Sequence, residues 1–511
     1  MPHTYIKRIL DARIYDLAQE TPLEWAPLIS GRTHNRVLLK REDLQPVFSF
    51  KIRGAYNKLL QLTPEQRALG VVAASAGNHA QGLALASKHL QVEATIVMPC
   101  TTPVIKVNAV RRHGAAVELR GDTFDEASAF AKSLVAERGM VYIHPYDDAD
   151  VIAGQGTVAM ELLRQHPNPI DAVFIPVGGG GLCAGMTAYL KFVRPDIKIF
   201  AVEPADAACL EAAIQAQSRV VLPQVGLFAD GVAVAQIGEE PFRVMRDLID
   251  GVITVSTDEI CAAIKDIFED TRSIAEPAGA CALAGLKKYV ETSGCQGQTL
   301  VAVHSGANIN FDRLRYISER TEIGEGREAI LAVTIPERPG SYAEFCTLLG
   351  KRSITEFNYR FRQRVGVAAQ DAHIFVGLQI APDKTDRQDL VHTLRARGYA
   401  VVDMTDNEMA KLHIRHMVGG PAPLGLLDEI VLRFEFPERP GALLNFLTKL
   451  AGRWNISMFH YRNHGAAHGR VLVGMQVPAE SRAELEMALA ELNYPWWDET
   501  TNPAYQLFLA H

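Results

Sequence analysis

Several features are absent from this sequence of 511 residues. No uninterrupted apolar stretch is long enough to span a bilayer, and the first residues lack the basic-then-apolar order of a secretory signal. Positive charge is not in excess, because 52 Lys and Arg stand against 59 Asp and Glu and leave a net charge of -7. We therefore expect no membrane association and no nucleic-acid partner, since duplex binding normally needs a basic face.

Cysteine is also sparse: the seven cysteines are scattered and form no Cys-x-x-Cys pair. A disulfide framework or a zinc site is not expected, and the cytoplasm is the predicted location. What the chain does have is 48% hydrophobic and 22% charged residues, which is ordinary for a protein that buries large cores. At about 150 residues per domain, the length predicts roughly three domains.

Short apolar runs alternate with helix-length amphipathic segments from Val71 to Val303. Such runs predict parallel strands that are buried on both faces. The pattern indicates an α/β fold, with ligands bound in crevices at the carboxyl ends of the strands. The predicted strands are Val71–Ala74, Ala94–Met98, Ala116–Leu119, Ala172–Val177, Ile197–Val202, Val252–Val255 and Leu300–Val303.

The last part of the chain contains an internal repeat. The sequence Pro-Glu-Arg-Pro-Gly occurs from Pro336 and again from Pro437, and Ile354-Thr-Glu-Phe-Asn-Tyr-Arg returns as Ile456-Ser-Met-Phe-His-Tyr-Arg. Similar motifs in the same order indicate two copies of one unit. Each copy is predicted to have the ferredoxin-like βαββαβ order of strands and helices. The predicted segments are 1–320 for the first domain, 321–328 for a polar linker, and 329–420 and 421–511 for the two repeats.

A lysine in an apolar and aromatic setting is the first candidate for chemistry. Lys51 lies in Ser49-Phe-Lys-Ile-Arg-Gly. A desolvated lysine loses proton affinity, and its neutral amine can form a Schiff base with a carbonyl. The alternative is a surface lysine beside a helix start, because lysine is usually exposed.

Two loops that follow predicted strands complete the candidate site. Ser75-Ala-Gly-Asn-His opens a helix whose N–H groups could bind a carboxylate, although an ordinary capped turn is the alternative. Gly178-Gly-Gly-Gly-Leu is typical of a backbone wrapped around a phosphate, with a flexible turn as the alternative. It lacks the Walker lysine and the Gly-x-Gly-x-x-Gly order, so an isolated phosphate is favoured over ATP or NAD. Together these features suggest pyridoxal phosphate acting on an amino acid.

The chain resembles the biosynthetic threonine deaminases (threonine ammonia-lyases), which are fold-type II pyridoxal-phosphate enzymes with two C-terminal ACT-like domains. The resemblance runs through the three motifs above, through Ala275-Glu-Pro-Ala-Gly-Ala and His304-Ser-Gly-Ala-Asn, and through both repeats. It implies an α/β catalytic domain of parallel sheets with helices on both faces. It also implies conversion of L-threonine, and of L-serine, to an oxo acid and ammonia; the threonine product is 2-oxobutyrate, the first step of isoleucine biosynthesis.

The resemblance also implies roles for individual residues. Lys51 would hold the cofactor and then act as the base at Cα–H, with Phe50 near the ring and Asn78 at the 3′ oxygen. Ser305 would face the pyridine nitrogen, where a hydroxyl, unlike an aspartate, holds no proton on the ring and so favours elimination. The phosphate would be wrapped by Gly178, Gly179, Gly180, Gly181 and Leu182. The substrate would be bound by Ser75, Ala76, Gly77, Asn78 and His79.

Regulation is implied for the repeats, which would bind isoleucine as a feedback inhibitor, with valine opposing it as an activator. Four residues in or beside the repeated motifs could supply polar contacts to these effectors, or could only stabilise the interface between the repeats. They are Arg352, Tyr359, Glu438 and Tyr461. A homotetramer is implied as well.

No metal is expected. Related serine racemases place a divalent cation near Glu-x-x-x-Ala-x-Asp, and the matching stretch here begins at Glu203 but has Cys209 in the third, acidic position. A hard cation prefers oxygen ligands, so Glu203 is better explained as a solvated or hydrogen-bonded residue at the end of a strand.

Other functions stay open at this stage. A catabolic serine/threonine dehydratase or a serine racemase would share the first 320 residues, but those enzymes usually lack the paired tail. An amino-acid sensor would require loss of the lysine or the phosphate loop, and both are intact. A dinucleotide oxidoreductase is disfavoured by the missing glycine fingerprint.

Overall fold

The computed structural model of the chain forms two compact units, Met1–Ile317 and Ser318–His511. No helix within the described residues is long and apolar enough to cross a membrane. The structure describes residues 2–336, 345, 348–349, 352, 354–359, 371–381, 384–416, 428–437, 450, 454–462 and 468–510.

The first unit contains two sheets. Its strands are β1 (Leu23–Trp25), β2 (Arg36–Arg41), β3 (Val71–Ala74), β4 (Ala94–Met98), β5 (Ala116–Leu119), β6 (Val141–Tyr142), β7 (Ala172–Pro176), β8 (Lys198–Pro204), β9 (Gly251–Val255) and β10 (Thr299–His304). One sheet has the order β1-β2-β10-β7-β8-β9 and the other β5-β4-β3-β6. Every neighbouring pair is parallel except β1 and β2. All seven predicted strands are confirmed within a residue or two at their ends.

Helices pack against both sheets of the first unit, and the last of them, α14, extends past the boundary at Ile317. They are α1 (Pro2–Leu10), α2 (Pro27–Thr33), α3 (Lys51–Gln61), α4 (Pro64–Ala68), α5 (Asn78–Leu90), α6 (Val104–Arg112), α7 (Phe124–Arg138), α8 (Ala149–Gln165), α9 (Gly181–Val193), α10 (Cys209–Ala216), α11 (Glu239–Met245), α12 (Thr257–Thr271), α13 (Pro277–Ser293) and α14 (Arg313–Gly324). Val173 of β7 packs in one core with α8 and α9. The neighbouring Phe174 stacks on Phe200 and contacts Tyr289 of α13 at a tilted angle. Alternate residues of the strand therefore face two helical layers.

Helix α3, which begins at Lys51, is fixed to its neighbours by buried ion pairs. Arg53 Nε donates to Glu42 Oε2 at 2.7 Å, and Arg53 Nη1 donates to Glu161 Oε1 at 2.5 Å. Lys40 Nζ, at the end of β2, donates to Glu161 Oε2 at 2.6 Å. All four side chains are fully buried. Two cations and two carboxylates thus neutralise each other in the interior, which is the condition under which buried charge is tolerated.

Close packing of α3 against α8 depends on glycine. A Cβ on Gly54 would lie 2.7 Å from the Val151 carbonyl oxygen, and a Cβ on Gly154 would lie 2.6 Å from the Arg53 carbonyl oxygen. The two backbones therefore approach more closely than side chains would allow. This packing and the ion pairs together set the position of the first turn of α3.

The second unit contains the two predicted repeats. The first has β11 (Glu328–Pro336), β12 (Ile354–Tyr359), β13 (Asp371–Gln379), α15 (Lys384–Ala396), β14 (Ala400–Asp403) and α16 (Glu408–Leu412). The second has β15 (Glu429–Pro437), β16 (Asn455–Arg462), β17 (His468–Gln476), α17 (Arg482–Leu492), β18 (Trp496–Asp498) and α18 (Pro503–Phe508). The antiparallel sheets have the orders β12-β13-β11-β14 and β16-β17-β15-β18, which is the ferredoxin-like arrangement.

The repeats also share a hydrogen-bonding pattern that their sequences do not reveal. After β14, the Thr405 hydroxyl accepts from Ile330 N at 3.0 Å, and after β18 the Thr500 hydroxyl accepts from Val431 N at 3.0 Å. The two elements that follow are joined, because Asn407 Nδ2 donates to Asn502 Oδ1 at 3.1 Å. The repeats therefore pack as a pair inside this unit.

The segment 321–328 differs from the expected linker. Helix α14 continues through it to Gly324, and β11 begins at Glu328. The reason is that Ile323 is buried in the core of the second unit, so the segment is amphipathic and not simply polar.

The ion-pair cluster gives a stability prediction. Arg53→Met should remove the cation that pairs with both Glu42 and Glu161. It should lower the free energy of unfolding by about 3–5 kcal/mol, because buried carboxylates without partners are strongly destabilising. The control is Arg8→Met, since the Arg8–Asp150 pair is partly exposed and should contribute less than about 1 kcal/mol. Urea unfolding of the two variants checks this. Equal small losses would contradict the assigned role of the cluster.

Candidate active site

One cavity of the first unit collects the residues that follow β7 and β10 and the residues that begin α3 and α5. It is lined by Phe50, Lys51, Asn78, Tyr146, Pro176, Gly178, Gly179, Gly180, Gly181, Leu182, Gly231, Val232, Glu276, Ala278 and Ser305. Every residue that the sequence analysis assigned to the cofactor is among them. The fold thus brings three widely separated motifs to the carboxyl ends of parallel strands, as expected for an α/β protein.

Lys51 is the first residue of α3, and its amine is largely withdrawn from water. Its Nζ donates to the Pro145 carbonyl oxygen at 2.8 Å and lies 5.2 Å from the centre of the Phe50 ring. Burial lowers the pKa of Lys51 to about 8, and the negative charge of Glu276 opposes that shift. The alternative of an ordinary surface lysine is therefore wrong, and the amine can reach its neutral, nucleophilic form near physiological pH.

The four glycines between β7 and α9 form a cradle that side chains would fill. A Cβ on Gly178 would lie 2.7 Å from Val232 Cα, and a Cβ on Gly179 would overlap the ring of Tyr146. Gly180 has φ +92°, a left-handed conformation that favours glycine. Since α9 begins at Gly181, the N–H groups of its first turn have no intrahelical partners and point toward an anion site. The loop fits a phosphate.

On the other side of the cavity, Asn78 contacts two polar side chains. Its Nδ2 donates to Glu276 Oε1 at 2.5 Å, and its Oδ1 accepts from Asn308 Nδ2 at 2.7 Å. Burial, together with the nearby charge of Asp230, raises the pKa of Glu276 to about 7. A carboxyl group that titrates near neutrality thus lies beside Asn78 and within electrostatic range of Lys51.

Ser305 follows β10 directly and is buried, with its hydroxyl 3.4 Å from the Ala278 carbonyl oxygen. The preceding residue fixes the strand end, since His304 Nδ1 lies 3.0 Å from Asp43 Oδ1. Although burial opposes it, hydrogen bonds from His304 and Arg41 hold the pKa of Asp43 below its usual range. Ser305 therefore lines the cavity from the end of β10.

The segment predicted to bind the substrate forms the turn between β3 and α5. Ser75 Oγ accepts from Gly77 N at 3.3 Å, and α5 begins at Asn78, so the N–H groups of its first turn are available to an anion. His79 is buried, and its Nε2 lies 2.9 Å from the Ile143 carbonyl oxygen. Burial and the charge of Lys51 lower the pKa of His79 to about 3, which keeps the ring neutral. Of these five described residues, Asn78 alone lines the cavity.

The Glu203 carboxylate is hydrogen-bonded to the backbone of the next helix. Its carboxylate accepts from Leu210 N at 2.8 Å and from Glu211 N at 2.9 Å, near the start of α10. Cys209 Sγ donates to the Gly178 carbonyl oxygen at 3.5 Å. Within the part of the chain that the structure describes, no group of three or more His, Cys, Asp and Glu side chains is arranged to hold a metal ion.

The residues predicted to bind effectors are only partly described. Arg352 donates to Asp386 and, at 3.2 Å, to the Leu349 carbonyl oxygen. Tyr359 ends β12 and Tyr461 lies in β16, but the side chains of both lie outside the described residues. Glu438 lies outside them entirely. This effector site therefore stays a prediction.

Comparison with known proteins agrees with this geometry. Residues 14–306 match the family of pyridoxal-phosphate dependent enzymes, and residues 319–414 and 420–509 match the C-terminal regulatory domain of threonine dehydratase. The biosynthetic L-threonine dehydratase IlvA of Burkholderia multivorans is 55% identical over 99% of both chains. The chain belongs to the biosynthetic threonine dehydratases.

Solved structures support the same assignment for the first unit. The processed form of threonine deaminase isoform 2 from Solanum lycopersicum is 48% identical, with a TM-score of 0.61, and the match covers 62% of this chain and 92% of that chain. The serine racemase of Dictyostelium discoideum is 34% identical, with a TM-score of 0.56, over 60% of this chain and 99% of that chain. The first unit is thus a fold-type II pyridoxal-phosphate domain, and the family's cofactor fits the lysine and the glycine cradle.

Several lining residues of this threonine dehydratase were not predicted from the sequence. Glu276 stands inside the recognised motif Ala-Glu-Pro-Ala-Gly-Ala, so its position was visible although its role was not. Tyr146 and Gly231 carry no comparable signal. They reach the cavity because their loops pack on the glycine cradle and on Ala278.

The cradle gives a second prediction. Gly178→Ala should force the backbone at Val232 away and reduce cofactor content strongly, since a Cβ there would meet main-chain atoms that cannot rotate aside. Gly31→Ala is the control, because a Cβ on Gly31 meets nothing within 4 Å. Cofactor content after gel filtration, read from the visible absorption, checks this. A Gly178→Ala protein with full cofactor content would show that the loop does not enclose the phosphate.

Proposed function

We propose that the protein removes water and ammonia from L-threonine, and also acts on L-serine, with 2-oxobutyrate as the threonine product. The observation that carries this proposal is the desolvated Lys51 amine opposite a glycine cradle for phosphate, in a chain that continues into a regulatory domain of the threonine dehydratase type. The names of the most similar relatives support the choice of substrate.

The cofactor supplies electron withdrawal that makes the Cα–H bond of a bound amino acid acidic. Lys51 would hold it, Gly178 to Leu182 would surround its phosphate, and Phe50 would pack near its ring. With a pKa of about 8, the Lys51 amine is suited to take the Cα proton, since a base works best when its pKa lies near the working pH. The first turn of α5 would orient the substrate carboxylate.

Ser305 explains why elimination would be favoured. We infer that its neutral hydroxyl faces the ring nitrogen and, unlike an aspartate, does not keep a proton there. Electron withdrawal is then weaker, negative charge at Cα is short-lived, and loss of the β-hydroxyl competes well with reprotonation at Cα. The released enamine takes up water and expels ammonia, giving the 2-oxo acid.

A serine racemase is the second candidate, because the Dictyostelium discoideum enzyme shares the fold of the first unit. That match covers 60% of this chain, and the remainder is the part that matches the threonine dehydratase regulatory domain. The paired tail therefore favours a regulated dehydratase, which would catalyse the first step of isoleucine biosynthesis.

We further propose that the tail binds isoleucine as inhibitor and valine as activator, and that the protein acts as a homotetramer in the cytoplasm. Inhibition requires isoleucine to bind a low-activity state more tightly than the active one. The half-buried guanidinium of Arg352, which pairs with Asp386, supports its proposed role as a cation for the effector carboxylate. The described cysteines are all free thiols, as in a reducing compartment.

Catalysis gives the third prediction. Lys51→Ala should lower 2-oxobutyrate formation about a thousandfold or more, because both the attachment point of the cofactor and the base are lost. Lys58→Ala is the matched control on the same helix, since Lys58 pairs with Asp148 and Asp150 outside the cavity. The activity of that variant should stay within about twofold of the parent, because Lys58 does not line the cavity. Near-normal turnover by Lys51→Ala would refute the role of Lys51.

Regulation gives the fourth prediction. Arg352→Ala combined with Tyr359→Ala should raise the isoleucine concentration for half-inhibition about tenfold or more, the usual cost of losing a charge-assisted hydrogen bond. Activity at saturating threonine without isoleucine should be spared. Arg387→Ala is the control, because Arg387 pairs with Asp403 and Asp406 in the same repeat. An unchanged isoleucine response in the double variant would mean that the effector binds elsewhere.

A further inference from the structure

The Asn78 amide is the central member of a chain of polar side chains that none of the steps above uses. Asn308 Nδ2 donates to the Val47 carbonyl oxygen at 2.7 Å and to Asn78 Oδ1 at 2.7 Å. Asn78 Nδ2 then donates to Glu276 Oε1 at 2.5 Å. The chain therefore begins at a backbone carbonyl and ends at a carboxyl group.

The backbone carbonyl fixes the direction of every bond in this chain. The Val47 oxygen can only accept, so the Asn308 group that faces it must be the NH2 group. That group has two hydrogens, and the second one meets Asn78, which must present its oxygen. The Asn78 NH2 group consequently faces Glu276. A flipped Asn78 amide would place donor against donor at Asn308 and, when Glu276 is ionised, oxygen against oxygen at Glu276. One N–H of Asn78 remains for the cavity that Asn78 lines.

The packing around Glu276 leaves its carboxyl group little freedom. Glu276 N donates to the Gly306 carbonyl oxygen at 3.1 Å, and a Cβ on Gly306 would lie 2.5 Å from Glu276 Oε1. The charged groups that act on Glu276 are Asp230 and Lys106, and its own charge acts on Lys51. Glu276 and Asn308 thus belong to two sequence motifs that meet beside Asn78.

We propose that Glu276 and Asn308 are positioning residues, which lock the Asn78 amide so that its remaining N–H donates to the ring oxygen of the bound cofactor. This inference rests on the cofactor contact assigned to Asn78 by the resemblance. A fixed donor stabilises negative charge on that oxygen, whereas a flipped amide would place an oxygen there and repel it. Loss of the lock should therefore weaken cofactor binding and shift the visible absorption of the bound cofactor.

A double-mutant cycle on the full chain separates this role from a merely structural one. Glu276→Ala, Glu276→Gln and Asn308→Ala are each made in the parent and in Asn78→Ala, and the pyridoxal phosphate affinity and absorption maximum are measured. In the parent, Glu276→Ala and Asn308→Ala should each weaken affinity about tenfold or more. Glu276→Gln keeps an acceptor and should stay close to the parent. In the Asn78→Ala background, Glu276→Ala and Asn308→Ala should each weaken pyridoxal phosphate affinity by no more than about twofold further. The reason is that the amide they position is already absent.

Asn35→Ala is the matched control, since the buried Asn35 amide makes three hydrogen bonds where β2 begins, away from the cavity. It should not move the absorption maximum. Equal losses of affinity in the parent and in Asn78→Ala would overturn the proposal, as would a Glu276→Ala protein with parental affinity and spectrum. Should Asn308→Ala fail to fold, the Glu276 variants still decide the question. None of these readouts needs substrate turnover, so the outcome is independent of the proposed dehydration.

Discussion

Withdrawal of one lysine amine from water is the physical constraint on which the rest of the site depends. Burial lowers the pKa of Lys51 to about 8 against the opposing charge of Glu276, and the Pro145 carbonyl oxygen holds the amine in place. The same position places it opposite the glycine cradle and near Glu276. Covalent attachment and proton transfer both need a neutral amine at a fixed point, so one placement serves both steps.

The amine stays in place only if the helix that carries Lys51 is itself held firmly by its neighbours. The helix that carries Lys51 is joined through Arg53 to Glu42 and Glu161, and glycines let it lie directly on α8. Buried ion pairs contribute little net stability compared with apolar packing, but they fix one geometry. We therefore propose that the cluster fixes the position of Lys51, although loss of Arg53 alone would leave two carboxylates buried without their partner and destabilise the fold.

Sequence reasoning succeeded where a local pattern had one physical meaning. The seven strands were predicted because each is a nearly continuous apolar run. The glycine loop was singled out because it follows such a run, whereas the individual cofactor roles came from the family resemblance and stay predictions. It missed β2, which ends in the buried cations Lys40 and Arg41, since charged residues do not look like a core strand. It also took 321–328 for a linker, because one buried residue, Ile323, is not a periodic pattern. The lock on Asn78 joins residues far apart in sequence and needs the fold.

The central claim is that Lys51 is the residue that binds the cofactor. The most direct test is peptide mapping by mass spectrometry after borohydride reduction of the holoenzyme, which makes the attachment permanent. The account predicts the added phosphopyridoxyl mass on the peptide that contains Lys51, at a residue distinguishable from Lys58 by fragmentation. Label on another lysine, or no label on a protein that still forms 2-oxobutyrate, would contradict it.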